Sequence, residues 1–369
     1  MLSVMVQYWG SRGAGVKFFH QVTHELSRRV DCELYVSGVK GMIDLPRGLN
    51  IRSVHECPSA FRNLKGVSLI FAALRAIVSF QRFLRGRDVS VVFCPMLGWA
   101  TPILALMARS RGIPYILLVH DAVPHPGEDS LRNRVLVRLS ILTASSCLVL
   151  SEHVLGQLLK IRPRVEALVA RHGPIMPATI PLQRVRYDGE KGKRLLCIGR
   201  LKKYKGVEVF ADVVIQLRTK GLLVSGTIAG EGDVSSQLNA KIKQYDFLEL
   251  DNTWLSDERF WRYLFEADVV VVPYIEASQS GIIASALAAC VPVVITPVGG
   301  LIEQIDADKT GVIAKSVSIG DIEEAVLRVI NDDKFTEKIR RTQKKVLIEN
   351  SDWSDMVDKI MHISERTMR

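Results

Sequence analysis

Paired cysteines are missing from this chain of 369 residues. Its six cysteines, at 32, 57, 94, 147, 197 and 290, are scattered, and several sit in apolar, strand-like runs. Neither a disulfide framework nor a zinc site is expected, and a reducing compartment fits. Close-spaced acidic ligands are as scarce. Asp306 and Asp308 stand two apart, but in a polar loop after Glu303, where a turn is the expected reading and no metal is expected. A targeting segment is not expected in the first residues either. MLSVMVQYWG has neither a basic n-region nor a long apolar core, and it reads as a first strand. Val89 to Ala108 runs 20 residues without a charge, nominally the length of a membrane span. Pro95, Gly98 and Pro102 break it, so a buried strand, a turn and a helix from about Thr101 are expected instead. Aromatic residues do not interleave with the basic ones, so base stacking, and with it a nucleic-acid partner, is not expected.

What is present is enough chain for two domains with separate cores. Apolar residues make up 48% and charged residues 24%, as in ordinary globular proteins. The net charge of +10 is uneven. Residues 1–175 hold 22 Lys/Arg against 11 Asp/Glu, and the remainder holds 27 against 28. The whole excess lies in the first half, which is therefore expected to face something anionic. Arg62 to Arg87 is a helical pattern with Arg62, Lys65, Arg75, Arg82, Arg85 and Arg87 on it and no acidic residue. Such a helix lies on an anionic membrane or packs on a sheet with a basic solvated side. Arg132, Arg134 and Arg138 repeat the ambiguity.

Along the chain, residues 2–8 read as a strand and about Val16 to Arg29 as a helix, with Gly10-Ser11-Arg12-Gly13-Ala14-Gly15 between them. The spacing is G-x-x-G-x-G, so the dinucleotide fingerprint is not met. Glu33 to Ser37 is a second strand, and residues 38–60 read as loop-rich. Tyr115 to Val119 is a strand with His120-Asp121 just past its carboxyl end, where open α/β sheets bind ligands. Pro124-His125-Pro126-Gly127-Glu128 follows as a rigid polar loop. After a linker, Leu195 to Ile198 leads into Gly199-Arg200-Leu201-Lys202-Lys203-Tyr204-Lys205-Gly206, and Ile228-Ala229 into Gly230-Glu231-Gly232. Val269 to Val272 is a β-branched run suited to a buried parallel strand. Behind Pro273 comes the polar turn Ser278-Gln279-Ser280-Gly281, then a helix from Ile282 to Ala289, the strand Val293 to Ile295 and Gly299-Gly300. A small polar turn at a helix N-terminus is an anion site, and equally an ordinary crossover with Ser280 as cap.

Together these stretches resemble the C-terminal nucleotide-sugar domain of the retaining GT-B glycosyltransferases, the group 1 family of bacterial polysaccharide and lipid-sugar transferases. The shared order is G-R-L-x-x-x-K-G, G-x-G, P-Y, S-G, P-V-V-x-T and G-G-x-x-E, over most of residues 195–303. One departure stands out. The family carries two glutamates eight positions apart at this turn. Counting back from Pro292 puts the second on Ser285, and counting back from Gly281 puts the first on Ser278, because the spacing is one residue short. Glu276 is nearby, but its partner eight on is Ala284. The chain resembles a sub-branch with Ser-Gln-Ser-Gly in place of the pair.

The resemblance implies two Rossmann-like, doubly wound α/β domains facing a cleft. The expected divisions are 1–175 for acceptor, 176–193 as linker, 194–350 for nucleotide sugar and 351–369 as a helix returning to the first domain. It implies transfer of a sugar from a nucleotide-diphosphate donor to an acceptor hydroxyl, with retention, with no cofactor and no metal. His120, Arg200 and Lys205 are the expected catalytic residues. Gly13, Gly15, Gly199, Gly230, Glu276, Ser278, Gln279, Ser280, Gly281 and Ile282 are expected at the donor, and Arg12, Asp121 and His125 at the acceptor. The basic first half points to a lipid-linked saccharide acceptor in polysaccharide synthesis, and to a cytoplasmic protein peripheral on an anionic membrane. The alternatives are a partner that binds nucleotide sugar without transfer, and an enzyme of soluble sugar phosphates.

Overall fold

The computed structural model describes residues 2–10, 14–29, 31–41, 43, 48–57, 67–126, 129–171, 173, 192–350 and 353–368. Its chain divides into two compact units: Met1–Pro124 with Asp129–His172 and Asp352–Arg369, and His125–Glu128 with Gly173–Ser351. Each is built on one sheet whose recorded strand pairs are all parallel.

The first unit holds β1 (Leu2–Tyr8), β2 (Cys32–Val39), β3 (Ile51–Cys57), β4 (Val91–Cys94), β5 (Tyr115–Val119), β6 (Ser146–Val149) and β7 (Glu166–Val169). They are ordered β3-β2-β1-β4-β5-β6-β7. Parallel neighbours need crossovers, here α1 (Ala14–Ser27), α2 (Val67–Arg85), α3 (Thr101–Arg109), α4 (Leu131–Thr143) and α5 (Glu152–Ile161). The pleat turns alternate side chains to opposite faces. Met5 and Trp9 join the core beneath α2 to α5, together with Phe80, Leu104, Ile141 and Leu158. Val4 and Val6, equally buried, point the other way, toward α1. The last helix, α12 (Ser354–Thr367), packs on α1 and β6. Phe18 meets the buried Trp353 edge-on at 4.6 Å, and Arg29 pairs with Asp358.

The second unit holds β8 (Lys193–Ile198), β9 (Val224–Ala229), β10 (Leu248–Asp251), β11 (Val269–Val272), β12 (Val293–Ile295) and β13 (Val312–Ile313), ordered β10-β9-β8-β11-β12-β13. Its helices are α6 (Val207–Thr219), α7 (Ser236–Gln244), α8 (Asp257–Glu266), α9 (Gly281–Ala288), α10 (Ile319–Ile330) and α11 (Asp333–Asn350). Both faces are covered: Leu195, Cys197, Val269 and Val271 enter one core, and Leu196, Ile198, Val270 and Val272 the other. That is why these strands read as unbroken apolar runs. Serines start many of the helices. Ser130, Ser151, Ser235, Ser256 and Ser318 each accept from a backbone N–H three residues on, satisfying a donor the helix cannot.

Some expectations shift. Residues 38–60 are not simply loop, because β3 lies within them. Its inward side is Ser53, His55 and Cys57, while Val54 faces out, so the usual apolar alternation is hidden. The long basic helix starts at Val67, and Arg62 and Lys65 lie outside the described residues. Asp306 and Asp308 answer separate cations, Lys309 and Arg328. None of the six cysteines is in a disulfide. Among the described residues no helix is long and apolar enough to cross a membrane.

Candidate active site

In an open parallel sheet the ligand crevice forms where strand order reverses, outside the carboxyl ends. In the second unit that point lies between β8 and β11. The residues leaving those ends are Gly199-Arg200 and Pro273-Tyr274. The loop after β8 closes in a 3₁₀ turn, Lys203–Lys205, and Gly206 follows at φ +66°. A Cβ there would run into the Pro273 carbonyl oxygen, so only glycine lets the two strand ends touch. Ile275 N–H donates to Tyr204 O at 2.7 Å and fastens them.

This docking sets up a chain of polar contacts. The Lys205 ammonium donates to the Tyr274 hydroxyl at 2.8 Å and lies 4.0 Å from that ring's centroid. The Tyr274 hydroxyl lies 3.2 Å from Ser280 Oγ, which caps α9 by accepting from Ile282 N–H. Gln304 brackets the same serine. Its Oε1 accepts from Ser280 N–H at 2.7 Å and its Nε2 donates to Ser280 O at 3.1 Å. Burial works to lower the Lys205 pKa, but Tyr274 and Tyr204 outweigh it and hold it above the usual lysine value. The group is a fixed cation, and Arg200 adds a second charge felt at Lys205.

Gly199 and Gly230 sit at φ +120° and +141°, and a Cβ on Gly230 would strike the Gly199 carbonyl. The ends of β8 and β9 are thus in backbone contact beside Arg200. Within the turn, Ser278 is buried, and the buried Oε1 of Gln279 has no hydrogen-bond partner among the described residues. Of the N–H groups expected to face an anion, those of Ser280 and Ile282 already have acceptors, which leaves Gly281. His125 comes to this group. Its ring stacks on Tyr204 at 4.7 Å and Nδ1 stands 3.5 Å from Glu276 Oε1. Sequence reasoning did not assign Tyr204, Tyr274 or Gln304. The first two lie inside the quoted motifs, whereas Gln304 is 24 residues from the serine it holds and carries no local signal.

In the first unit the order reverses between β1 and β4. His120 follows β5, and its Nε2 lies 2.9 Å from Pro95 O. A carbonyl only accepts, so Nε2 carries the proton and Nδ1 keeps a lone pair. Burial lowers the His120 pKa despite the Pro95 bond and Asp121, so the ring is neutral. Asp121 is the next residue, partly buried. A Cβ on Gly10 or Gly15 would run into the Tyr8 phenol, which therefore occupies the space over these glycines. Burial first, then Cys94, pushes the Tyr8 pKa up to about 12. Arg12 and Gly13 lie outside the described residues.

Two family models match this chain: a glycosyl transferase 4-like domain over residues 7–171 and glycosyl transferases group 1 over residues 192–332. An uncharacterized glycosyltransferase of Methanocaldococcus jannaschii is 28% identical over 180 residues, 48% of this chain and 45% of that protein. The chain thus matches less than half the length of that curated relative. Among solved structures, sucrose-phosphate synthase from Thermosynechococcus elongatus superimposes with a TM-score of 0.75 at 13% identity, covering 99% of each chain. Anabaena HepE in complex with UDP and glucose gives 0.74 at 16% identity, covering 98% of this chain and 99% of that one. At such identities these two establish the fold.

Proposed function

The chain belongs to the glycosyltransferases of GT-B fold, and from that premise we propose that it moves a sugar from a nucleoside-diphosphate donor to an acceptor hydroxyl. The observation that carries this is the Lys205–Tyr274–Ser280 chain at the β8/β11 reversal. A departing diphosphate needs preorganised positive charge where its own charge develops. Arg200 and Lys205 supply it, with Gly281 N–H at the head of α9. No metal is required in this reading. The orphaned Gln279 Oε1 is a buried acceptor awaiting a donor, and a ribose or sugar hydroxyl fits it. In the first unit, His120 Nδ1 offers an acceptor to a substrate hydroxyl. No side chain is assigned as nucleophile, and the anomeric configuration is retained through front-face attack. The acceptor is a lipid-linked saccharide at the cytoplasmic face of a membrane, in polysaccharide synthesis, which accounts for the excess of basic residues in the first half.

A second reading, donor binding without transfer, is favoured by the missing glutamate pair. Glu276, two residues before the turn in sequence, faces His125 instead. One experiment separates the two. A thermal-shift panel of UDP-, GDP- and ADP-sugars, with and without EDTA, is followed by assay of donor hydrolysis and transfer. The proposal expects one nucleotide class to raise Tm regardless of EDTA, with turnover, UDP being the nucleotide bound in HepE. A shift without turnover selects the second reading, and no shift from any donor overturns both.

A further inference from the structure

We propose that the outward face of the helix layer α2–α3–α4 is a docking surface for an anionic lipid bilayer. The three helices share one layer, because their inward residues Phe80, Leu104 and Ile141 enter the same core and they pack side by side. The opposite side of that layer is apolar as well. On α2, Phe71, Leu74 and Val78 recur at three and four residues and are exposed, Phe71 to 64%. On α3, Ile103 and Leu106 are exposed. On α4, Leu131, Val135, Leu139 and Leu142 form an exposed stripe along the whole helix, with Leu131 at 77%. A solvated helix shows one apolar side, whereas a helix apolar on both sides is covered on both. Single exposed leucines need no explanation, but aligned stripes on three neighbouring helices do.

Charge identifies what covers them. The three helices carry Arg75, Arg82, Arg85, Arg109, Arg132, Arg134 and Arg138, and neither lysine nor any acidic residue. Arg134 is paired with Asp129, and Arg109 donates to Thr143 O. Arg75, Arg82, Arg85, Arg132 and Arg138 are exposed among the leucines. A second copy of this face would bring like charges together, whereas acidic headgroups over an apolar interior complement both features. The arginines hold the headgroups while the leucine tips enter the acyl boundary, and the helices lie on the membrane without crossing it. Each basic residue in the surface field is worth about fivefold in partition. The inference deepens the lipid-linked acceptor reading, and its test uses neither donor nor acceptor, so either can fail alone.

The full chain is sedimented with vesicles of phosphatidylcholine alone and with 30 mol% phosphatidylglycerol, a probe composition chosen at about that fraction to give a surface field. Wild type is expected to bind the anionic vesicles only, less at high salt. The Leu131→Glu/Leu139→Glu variant is expected to lose at least about tenfold of that partition with Tm unchanged, since both side chains are solvent-exposed. Leu223→Glu/Ile348→Glu makes the same charge change at exposed sites of the second unit and is expected to bind as wild type. Arg132→Gln/Arg138→Gln keeps the leucines and is expected to lose mainly the salt-sensitive part. Equal loss in the control pair, unchanged binding by the leucine pair, or no binding by wild type overturns the proposal. So does lipid-free self-association that the leucine pair abolishes, which assigns the face to a second copy.

Discussion

Each sheet reverses its strand order beside a glycine-bearing loop, but the glycines face different things. In the second unit Gly206 and Gly230 lie against the carbonyls of Pro273 and Gly199, with backbone angles that L side chains rarely adopt. In the first unit Gly10 and Gly15 lie against the phenol of Tyr8. Backbone carbonyls at strand ends cannot retreat, because the sheet's hydrogen bonds fix them. A side chain can turn. The second unit is therefore braced by main chain around a fixed cation, while the first is filled by side chains whose state depends on packing and pH. The sharpest way to break this contrast is Gly230→Ala. Strain at φ +141° and collision with Gly199 O are expected to cost about 3 kcal/mol or more in urea unfolding and to remove donor binding. A cost under about 1 kcal/mol would mean that the two strand ends move apart freely.

Next in size is Lys205→Ala. The brace exists to hold that ammonium, so the fold is expected to survive while transfer falls about a hundredfold to a thousandfold. Steady-state rates in a variant that keeps a cooperative unfolding transition would establish the split, and a wild-type rate would remove Lys205 from the chemistry.

The first unit's dependence on side chains shows in His55. It is buried against Phe80 and Phe83, bridges Ser37 at 2.9 Å and Ser79 at 3.0 Å, and Ser37 also accepts from Trp9 Nε1. Burial, then Arg87, pulls its pKa down to about 4. Unfolded, the same imidazole titrates near its free value of about 6.5. Below that value the unfolded chain takes up a proton the native one refuses, so stability is lost as pH falls from about 6.5 to about 4. Between about pH 7 and pH 5 the loss is roughly 2 kcal/mol. Lys205 behaves oppositely: its raised pKa contributes stability that is lost only as pH climbs past the ordinary lysine value. Hydrogen exchange at the two pH values, corrected for intrinsic rates, is expected to show β1–β3 loosening while β8–β10 holds. A His55→Gln variant is expected to flatten that difference, and equal loosening of both sheets would erase the contrast.

How much of this was readable beforehand follows from how far apart the cooperating residues stand. The loop from Gly199 to Gly206 was legible because all of its parts fall within eight residues. Val269 to Val272 was legible because a strand buried on both faces has no polar alternation to confuse it. The cap at Ser280 was legible as a local rule. Gln304 was not, since its tie to Ser280 exists only once β12 and the turn after it are in place. β3 escaped because its inward residues are Ser53, His55 and Cys57, whose network closes only against Trp9 and α2. The stripe on α4 was visible as leucines, but which side faced the core was not. At the first loop Gly13 and Gly15 are expected at the donor, and periodicity cannot say that Tyr8, two residues before Gly10, stands over Gly10 and Gly15.

That last point supports the smallest and most discriminating prediction. Gly15 is the second residue of α1, where alanine in place of glycine gains up to about 1 kcal/mol from helix propensity. The added methyl meets the Tyr8 hydroxyl first, then the ring carbon Cζ that bears it and then Met96 Cγ, all of them side-chain atoms. The gain and the repacking offset each other, so Gly15→Ala is expected to change stability by less than about 1 kcal/mol. Because the nearest atom is the hydroxyl oxygen, Tyr8→Phe is expected to relieve part of the crowding. A double-mutant cycle in urea is then expected to give a coupling of about 0.5 kcal/mol, with the double variant more stable than the two single changes sum to. Zero coupling would mean that Tyr8 does not sit over this loop in solution, leaving the glycines open to a ligand. A cost for Gly15→Ala as large as that of Gly230→Ala would mean that the phenol is held as firmly as a peptide carbonyl.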